Sequence, residues 1–227
     1  MTGVQTCALP ISLRDGRERI EPYRNPNSVL LACAPDFAGG WLISRLRQLR
    51  GIHPSMEVWL ITQDELREID RIDVDLIISS QELTSTELSS VKLIDDVALA
   101  VCGPELARRL HALPFPEVLQ AVPLIIDETY PEWAPWMAEQ KIVGKRGITL
   151  EDTRLRLQAA ENELGIAMIS KLAAEDALHN GRLVALTQIP SVPLAQKWLT
   201  KSNLLARTPA VEIVFEWLRT QGHQGIE

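Results

Sequence analysis

The sequence has little of what builds staples, zinc sites or membrane spans. Its 3 cysteines, Cys7, Cys33 and Cys102, are odd in number and widely spaced, which argues against a disulfide framework. None stands in a C-x-x-C, and the 4 histidines (His53, His111, His179, His223) are isolated, so no zinc pattern and no metal site are expected. Cys33 and Cys102 lie in apolar runs and read as small buried hydrophobes, a usage that fits a reducing cytoplasm. No apolar stretch approaches the roughly 18 residues a membrane span needs. The first dozen residues lack the basic and apolar regions of a secretory signal. Positive charge is also scarce, with 23 Lys and Arg against 30 Asp and Glu and a net charge of −7. The densest basic group, Arg45, Arg47 and Arg50, reads as the solvated face of one helix, and no second basic element joins it. The glycine and serine motifs of nucleotide binding and acyl transfer are missing, as is H-E-x-x-H. Neither catalysis nor a cofactor is expected.

What is present is a globular composition, with 46% hydrophobic and 23% charged residues over 227 positions. That length allows one large domain or two small ones. Ser28–Ala34 is a continuous apolar run, as in a strand buried on both faces. Phe37, Trp41, Leu42, Leu46 and Leu49 then recur at helical spacing, with Asp36 where an N-cap belongs and Gly51 at the close. Met56–Thr62 and Val74–Ser79 read as strands, Ser80–Ser90 as a loop, and Val91–Ile94 and Val97–Cys102 as further strands. A short helix follows Gly103-Pro104.

A second series starts after Pro114 and Pro116. Strands are expected at Pro123–Ile126, Ile148–Leu150, Ile166–Ser170, Leu183–Ala185 and Lys197–Thr200. Helices are expected at Pro131–Gln140, from Thr153 to about Leu164, at Leu172–His179 and at Pro209–Arg219. Alternating strands and helices imply parallel sheets with right-handed crossovers. The expected class is therefore α/β, with two Rossmann-like lobes and a ligand cleft between them.

The residues that make up this pattern resemble a known family, the effector-binding domains of LysR-type transcriptional regulators. Ala34-Pro-Asp-Phe-Ala-Gly-Gly-Trp-Leu-Ile-Ser-Arg-Leu46 is similar to the family's first strand-to-helix passage. His53-Pro-x-x-Glu57-Val58, Val74-Asp-Leu-Ile-Ile78 and Val101-Cys-Gly-Pro-Glu-Leu106 follow in the family's order. So do Asp127–Trp136, Leu157–Ala160, Leu164–Met168, Gly181–Val184 and Val214–Leu218. The glycine-cleavage and β-lactamase activators are the branch most resembled. The resemblance implies a periplasmic-binding-protein-like fold of type 2. It also implies a small-molecule effector, a homodimer or higher oligomer in the full-length protein, and DNA contact only through an N-terminal helix-turn-helix absent here. Residues 28–98 with 197–227 are expected as lobe I, and 99–196 as lobe II. Residues 13–27 read as the stump of a linker helix. Met1–Ile11 resembles the translation of a sequencing adapter, so residues 1–12 are expected to be non-native. A solute-binding protein of a transport system, with the same two-lobed fold, is the alternative.

Ligands of open α/β sheets sit beyond the carboxyl ends of strands, at helix starts. Asp36 and Phe37 open the first helix, where similar proteins bind effector carboxylates. The family's common serine is replaced by Asp36, whose carboxylate either shifts preference toward neutral, zwitterionic or cationic effectors or serves as a plain cap. Thr62 and Gln63 follow the second strand, and Ser79 and Ser80 the third. Asp127 follows a strand of the second series, and Asp152 and Thr153 open a helix there. Each has an ordinary turn or cap role as its alternative.

Overall fold

The computed structural model describes residues 25–63, 74–127, 137–139, 141, 143–203 and 208–224. The adapter-like segment, most of the linker stump and most of the helix expected at Pro131–Gln140 lie outside the described residues. Residues 137–139 are helical.

The chain divides into two compact units. One holds the described residues up to Ala34, those in Arg47–Ile94 and those from Lys197 onward; the other holds Pro35–Leu46 and Asp95–Gln196. Residues 35–46, expected with lobe I, thus group with the second unit.

In the first unit a sheet runs in the order β2-β1-β3-β11-β4. Strand β1 (Ser28–Cys33) is buried along its whole length, as its unbroken apolar run predicts. Parallel strands flank it, β2 (Glu57–Thr62) pairing Cys33 with Thr62 and β3 (Leu76–Ser79) pairing Ala32 with Ile77. β2 alternates exposed and half-buried residues because it is the edge of the sheet. Strand β4 begins at Leu88 and runs to Ile94, so the tract expected to be a loop up to Ser90 ends earlier. There Ser89 and Ser90 pair with Lys201 and Thr200 of β11 (Lys197–Ser202). β11 is antiparallel to both neighbours, so the sheet is mixed rather than parallel. The last helix, α6 (Pro209–Gln224), covers this sheet, with Val211, Val214, Phe215 and Leu218 buried on one stripe.

The second unit holds a sheet ordered β10-β5-β8-β6-β7, with β9 also on β5. Strands β6 (Leu124–Ile126), β7 (Arg146–Thr149) and β8 (Ile166–Ser170) are mutually parallel, while β5 (Val97–Cys102) is antiparallel to β8. The short strands β9 (Val184–Ala185) and β10 (Val192–Pro193) pair with β5; the second of these was not anticipated. On one side lies a cluster of Leu106, Leu110, Val118, Leu119, Leu124 and Met168 from β6, β8 and helices α2 (Pro104–Leu110) and α3 (Val118–Ala121). On the other, Ile125, Ile169, Ala159, Ala160, Ala173 and Ala177 join the sheet to α4 (Thr153–Glu161) and α5 (Lys171–His179).

Helix α1 also belongs here by contact up to Leu46. Its consecutive segments, Pro35–Phe37, the π-helical turn Ala38–Leu42 and Ile43–Ile52, run on without a break. The helix starts two residues earlier than the apolar spacing suggested. Proline at the first helical position has φ already set and no N–H to lose. Gly40 lies so close to α5 that a Cβ there would meet the Leu172 and Ala173 carbonyl oxygens at 2.3 Å.

Candidate functional site

The first sheet gathers polar groups at the carboxyl ends of its parallel strands. Thr62 ends β2 and is exposed, and the backbone N–H of Gln63 donates to the Cys33 carbonyl at 3.2 Å. Ser79 ends β3, is buried, and turns its hydroxyl onto the Gln81 carbonyl at 2.6 Å. Ser80 is exposed and accepts from Lys197 Nζ at 2.9 Å. Because β11 runs antiparallel, its first residue, Lys197, comes to the carboxyl end of β3 and adds a cation that the sequence reading missed. Four expected residues are therefore brought to one end of one sheet, with Ser79 committed to a turn. Asp75, at the opposite end of β3, accepts from Leu30 N, and burial pushes its carboxyl above the ordinary range.

The second unit brings two of the expected residues, Asp127 and Thr153, together around a side chain the sequence reading did not single out. Asp127 follows β6 and is almost wholly buried. The Arg156 guanidinium, also buried, lies 3.1 Å from the Asp127 carboxylate and donates to Thr153 Oγ1 at 2.8 Å. Arg156 stands three and four residues before Ala159 and Ala160, which are buried on the same helix face. A charged residue on the apolar stripe of a helix was the signal available. Asp152 precedes α4 in extended conformation and caps it, accepting from Arg154 N at 2.7 Å and Leu155 N at 3.4 Å. The Arg154 side chain closes on the same carboxylate at 2.6 Å, and chiefly this bond holds the Asp152 carboxyl down at about 2. A further pair, a half-buried serine on a buried carboxylate, was also missed. Ser170 donates to Asp96 Oδ2 at 2.6 Å while its oxygen accepts from Ala173 N at 3.2 Å, so it caps α5 and anchors to the sheet at once.

At the start of α1 the expectations need correction. Asp36 lies inside the first turn, not before it, and accepts only from its neighbour Phe37 N, at 2.7 Å. Phe37 is buried and stacked on Trp41, with ring centroids 5.0 Å apart. Trp41 in turn lies under the Arg45 guanidinium at 4.2 Å, and Arg45 reaches Glu175 of α5 at 2.7 Å. Phe37 thus serves packing between α1 and α5. Among the described residues no group of three metal-ligating side chains is placed to hold an ion. No helix there is long and apolar enough to cross a membrane.

A sequence model of the LysR substrate binding domain matches residues 25–222. The chain belongs to this family. It is 31% identical over 157 residues to the HTH-type transcriptional regulator PerR of Escherichia coli, covering 68% of this chain and 52% of PerR. The regulator DsdC of the same organism is 26% identical, with 94% of this chain and 73% of DsdC covered. The Escherichia coli glycine cleavage system transcriptional activator is 25% identical over 76% of this chain and 57% of its own length. The chain thus spans about half the length of PerR. In fold, the effector domain of AmpR from Pseudomonas aeruginosa superposes with a TM-score of 0.69, at 21% identity and 87% and 96% coverage of the two chains. The CrgA regulatory domain from Neisseria meningitidis gives 0.65 at 16% identity, over 86% of this chain and 98% of that one. The fold is that of LysR effector-binding domains, α/β and periplasmic-binding-protein-like of type 2. These relatives are regulators, so the transport reading is not favoured.

Proposed function

We propose that this LysR-family domain senses a small-molecule effector through polar groups at the carboxyl ends of its parallel strands. The observation that carries the reading is the gathering of those groups at one end of each sheet. Thr62, Gln63 and Ser80, with Lys197, stand in the first unit, and Asp152 and Thr153, with the buried Asp127–Arg156 pair behind them, in the second. Strand ends and helix starts in such sheets are where ligands meet oriented donors. Asp36 contributes a carboxylate at the start of α1, suited to neutral or amine-bearing ligands. The domain binds without catalysing a reaction. It acts in the cytoplasm as part of a longer, oligomeric regulator, and DNA contact belongs to a segment outside this chain. Effector binding shifts the regulator's conformational equilibrium through differential affinity for its states.

Thermal unfolding against amino acids, small organic acids and cell-wall fragments tests this. At a ligand concentration of 100 Kd the shift corresponds to about 2.7 kcal/mol of added stability. Thr153→Val and Gln63→Ala should each diminish it. A broad library that leaves the unfolding temperature unmoved would sink the reading.

A further inference from the structure

The turn that closes α5 joins asparagine to glycine, and Asn180 alone among the asparagines precedes a glycine. Such a pair can react with itself. A glycine backbone nitrogen has no Cβ beside it to shield it. Once a solvent base takes its proton, that nitrogen can attack Cγ of the asparagine. The Cγ–Nδ2 bond then breaks and ammonia leaves. Water opens the resulting five-membered imide at either carbonyl. One opening gives aspartate; the other gives isoaspartate, in which the main chain runs through the side chain. No electrons are gained or lost, and water is the only co-reactant.

The fold keeps the two reacting groups apart. Asn180 is the C-cap of α5 with ψ 4°, which turns the Gly181 nitrogen away from the Asn180 side chain. Gly181 follows in the left-handed region, at φ +68, as this kind of helix end requires. Its N–H, the proton that the reaction must remove, donates to the Leu178 carbonyl at 3.2 Å, and Arg182 N donates to the Ala177 carbonyl at 2.9 Å. The Asn180 amide donates at 2.9 Å both to the Asp176 carbonyl and to Asp176 Oδ1. The other oxygen of that carboxylate accepts from Arg182 at 2.8 Å, and Arg182 reaches Glu161 of α4 at 3.0 Å. Asn180 is nonetheless exposed, so water and base reach it whenever the turn opens. Helix ends are among the places where local opening costs least.

We propose that Asn180-Gly181 is a self-modification site, held closed by the C-cap of α5 with Asp176 as its latch, and converted to aspartate or isoaspartate when the last turn opens. The step runs one way. The new carboxylate meets the Asp176 carboxylate where an N–H donor stood, and like charges one helical turn apart repel. Isoaspartate also adds a methylene to the main chain, which breaks the two backbone bonds of the cap. The modification therefore records that this end of α5 has opened.

The test holds the whole chain in mildly alkaline buffer, native and in urea. Mass spectrometry that resolves aspartate from isoaspartate follows the peptide carrying Asn180. Conversion should be at least about tenfold slower in the native chain than in urea. Asp176→Ala should speed the native reaction about fivefold, the loss of one hydrogen bond of ordinary strength, and leave the rate in urea unchanged. Asp176→Asn keeps an acceptor for the Asn180 amide and should retain most of the protection. Glu161→Gln weakens the hold on Arg182 without touching Asn180, and should leave the native rate near that of the parent. The urea midpoint of each variant is read alongside. Absence of product at Asn180 in urea overturns the site. Equal rates in the native and unfolded chains overturn its closure by the cap. If Glu161→Gln accelerates conversion as much as Asp176→Ala, or if the rates only follow the urea midpoints, Asp176 is not the latch.

Discussion

Asp36 and Asp152 both stand at helix starts that follow strands of an α/β chain, and the spacing around them looks alike in the sequence. Asp152 lies one residue outside α4 in extended conformation, where its carboxylate reaches the N–H groups of the next turn. Asp36 lies one residue inside α1, behind Pro35, and its carboxylate reaches only the N–H of Phe37. One helical residue of offset separates a cap from a carboxylate with little helical role. Offsets of that size follow from where the backbone commits to αR, which proline decides at α1 and Asp152 itself decides at α4. The same contrast separates polar groups backed by a buried partner, as Thr153 is by Arg156, from those held only at the surface, as Ser80 is by Lys197.

The largest effect that would break this contrast is loss of the buried pair. Arg156→Ala leaves the Asp127 carboxylate buried without its guanidinium and should cost about 3–5 kcal/mol in denaturant unfolding. Lys197→Ala, which removes the half-buried partner of an exposed serine, should stay within about 0.5 kcal/mol. Equal losses would mean that burial does not distinguish the two strand ends. Next in size is the pair of glycines in α1. Gly40→Ala forces a Cβ against two carbonyl oxygens of α5, which are backbone and cannot swing aside. It should destabilise by about 1–3 kcal/mol. Gly39→Ala has nothing within 4 Å of the added carbon, and should be neutral or stabilise by up to about 1 kcal/mol through helix propensity. If the two changes share a sign, the tight approach of α1 to α5 is not what fixes Gly40.

Smaller again is the cap. Asp152→Ala should cost about 1 kcal/mol, and Asp36→Ala clearly less, when both are measured by urea unfolding at neutral pH. The pH dependence has a definite sign. The Asp152 carboxyl sits at about 2 in the fold, held down chiefly by Arg154, below its ordinary unfolded value. Its contribution is therefore present above about pH 4 and lost as pH falls through the folded value near 2. Asp152→Asn keeps an acceptor for the cap and should flatten the stability profile in that window. An unchanged slope between pH 4 and 2 would detach the low value from Asp152.

The strand and helix order was largely legible because apolar runs and helical spacing are strong local signals. β1, β2, β3, β5, β8 and α5 fall within a residue or two of the expected limits. Pairing direction was less legible. β11 reads as one more apolar strand, and nothing in Lys197–Thr200 announces that it inserts antiparallel beside β3 and carries a lysine to that strand's end. Of the candidate site, the residues just past strand ends could be listed from topology alone. Their partners could not, because a partner such as Arg156 for Asp127 or Lys197 for Ser80 lies in another element and is chosen by packing. Phe37 shows the converse: it lies in the first turn of α1, but stacking on Trp41 takes it inward. The π-helical turn Ala38–Leu42 has no sequence rule that would have found it.

The smallest expected effect concerns Cys102 and Glu163. Glu163 adopts φ +63, and its carboxylate caps α2, accepting from Glu105 N at 3.1 Å and Leu106 N at 2.8 Å. Gly103 makes room for it, since a Cβ there would meet that carboxylate at 2.2 Å. With glycine at this position, the cap of α2 comes from a carboxylate that reaches in from another segment. The Cys102 thiol is pushed up to about 12, first by burial and second by the Glu163 charge. The folded chain should therefore resist alkylation at Cys102 with iodoacetamide at pH 8, because the thiolate is the nucleophile. Glu163→Gln should raise the rate only slightly, since it removes the lesser cause and leaves the burial. Mass spectrometry of the Cys102 peptide reads both. A large acceleration in Glu163→Gln would mean that the charge, not the burial, protects the thiol, and that the cap holds α2 closed over it.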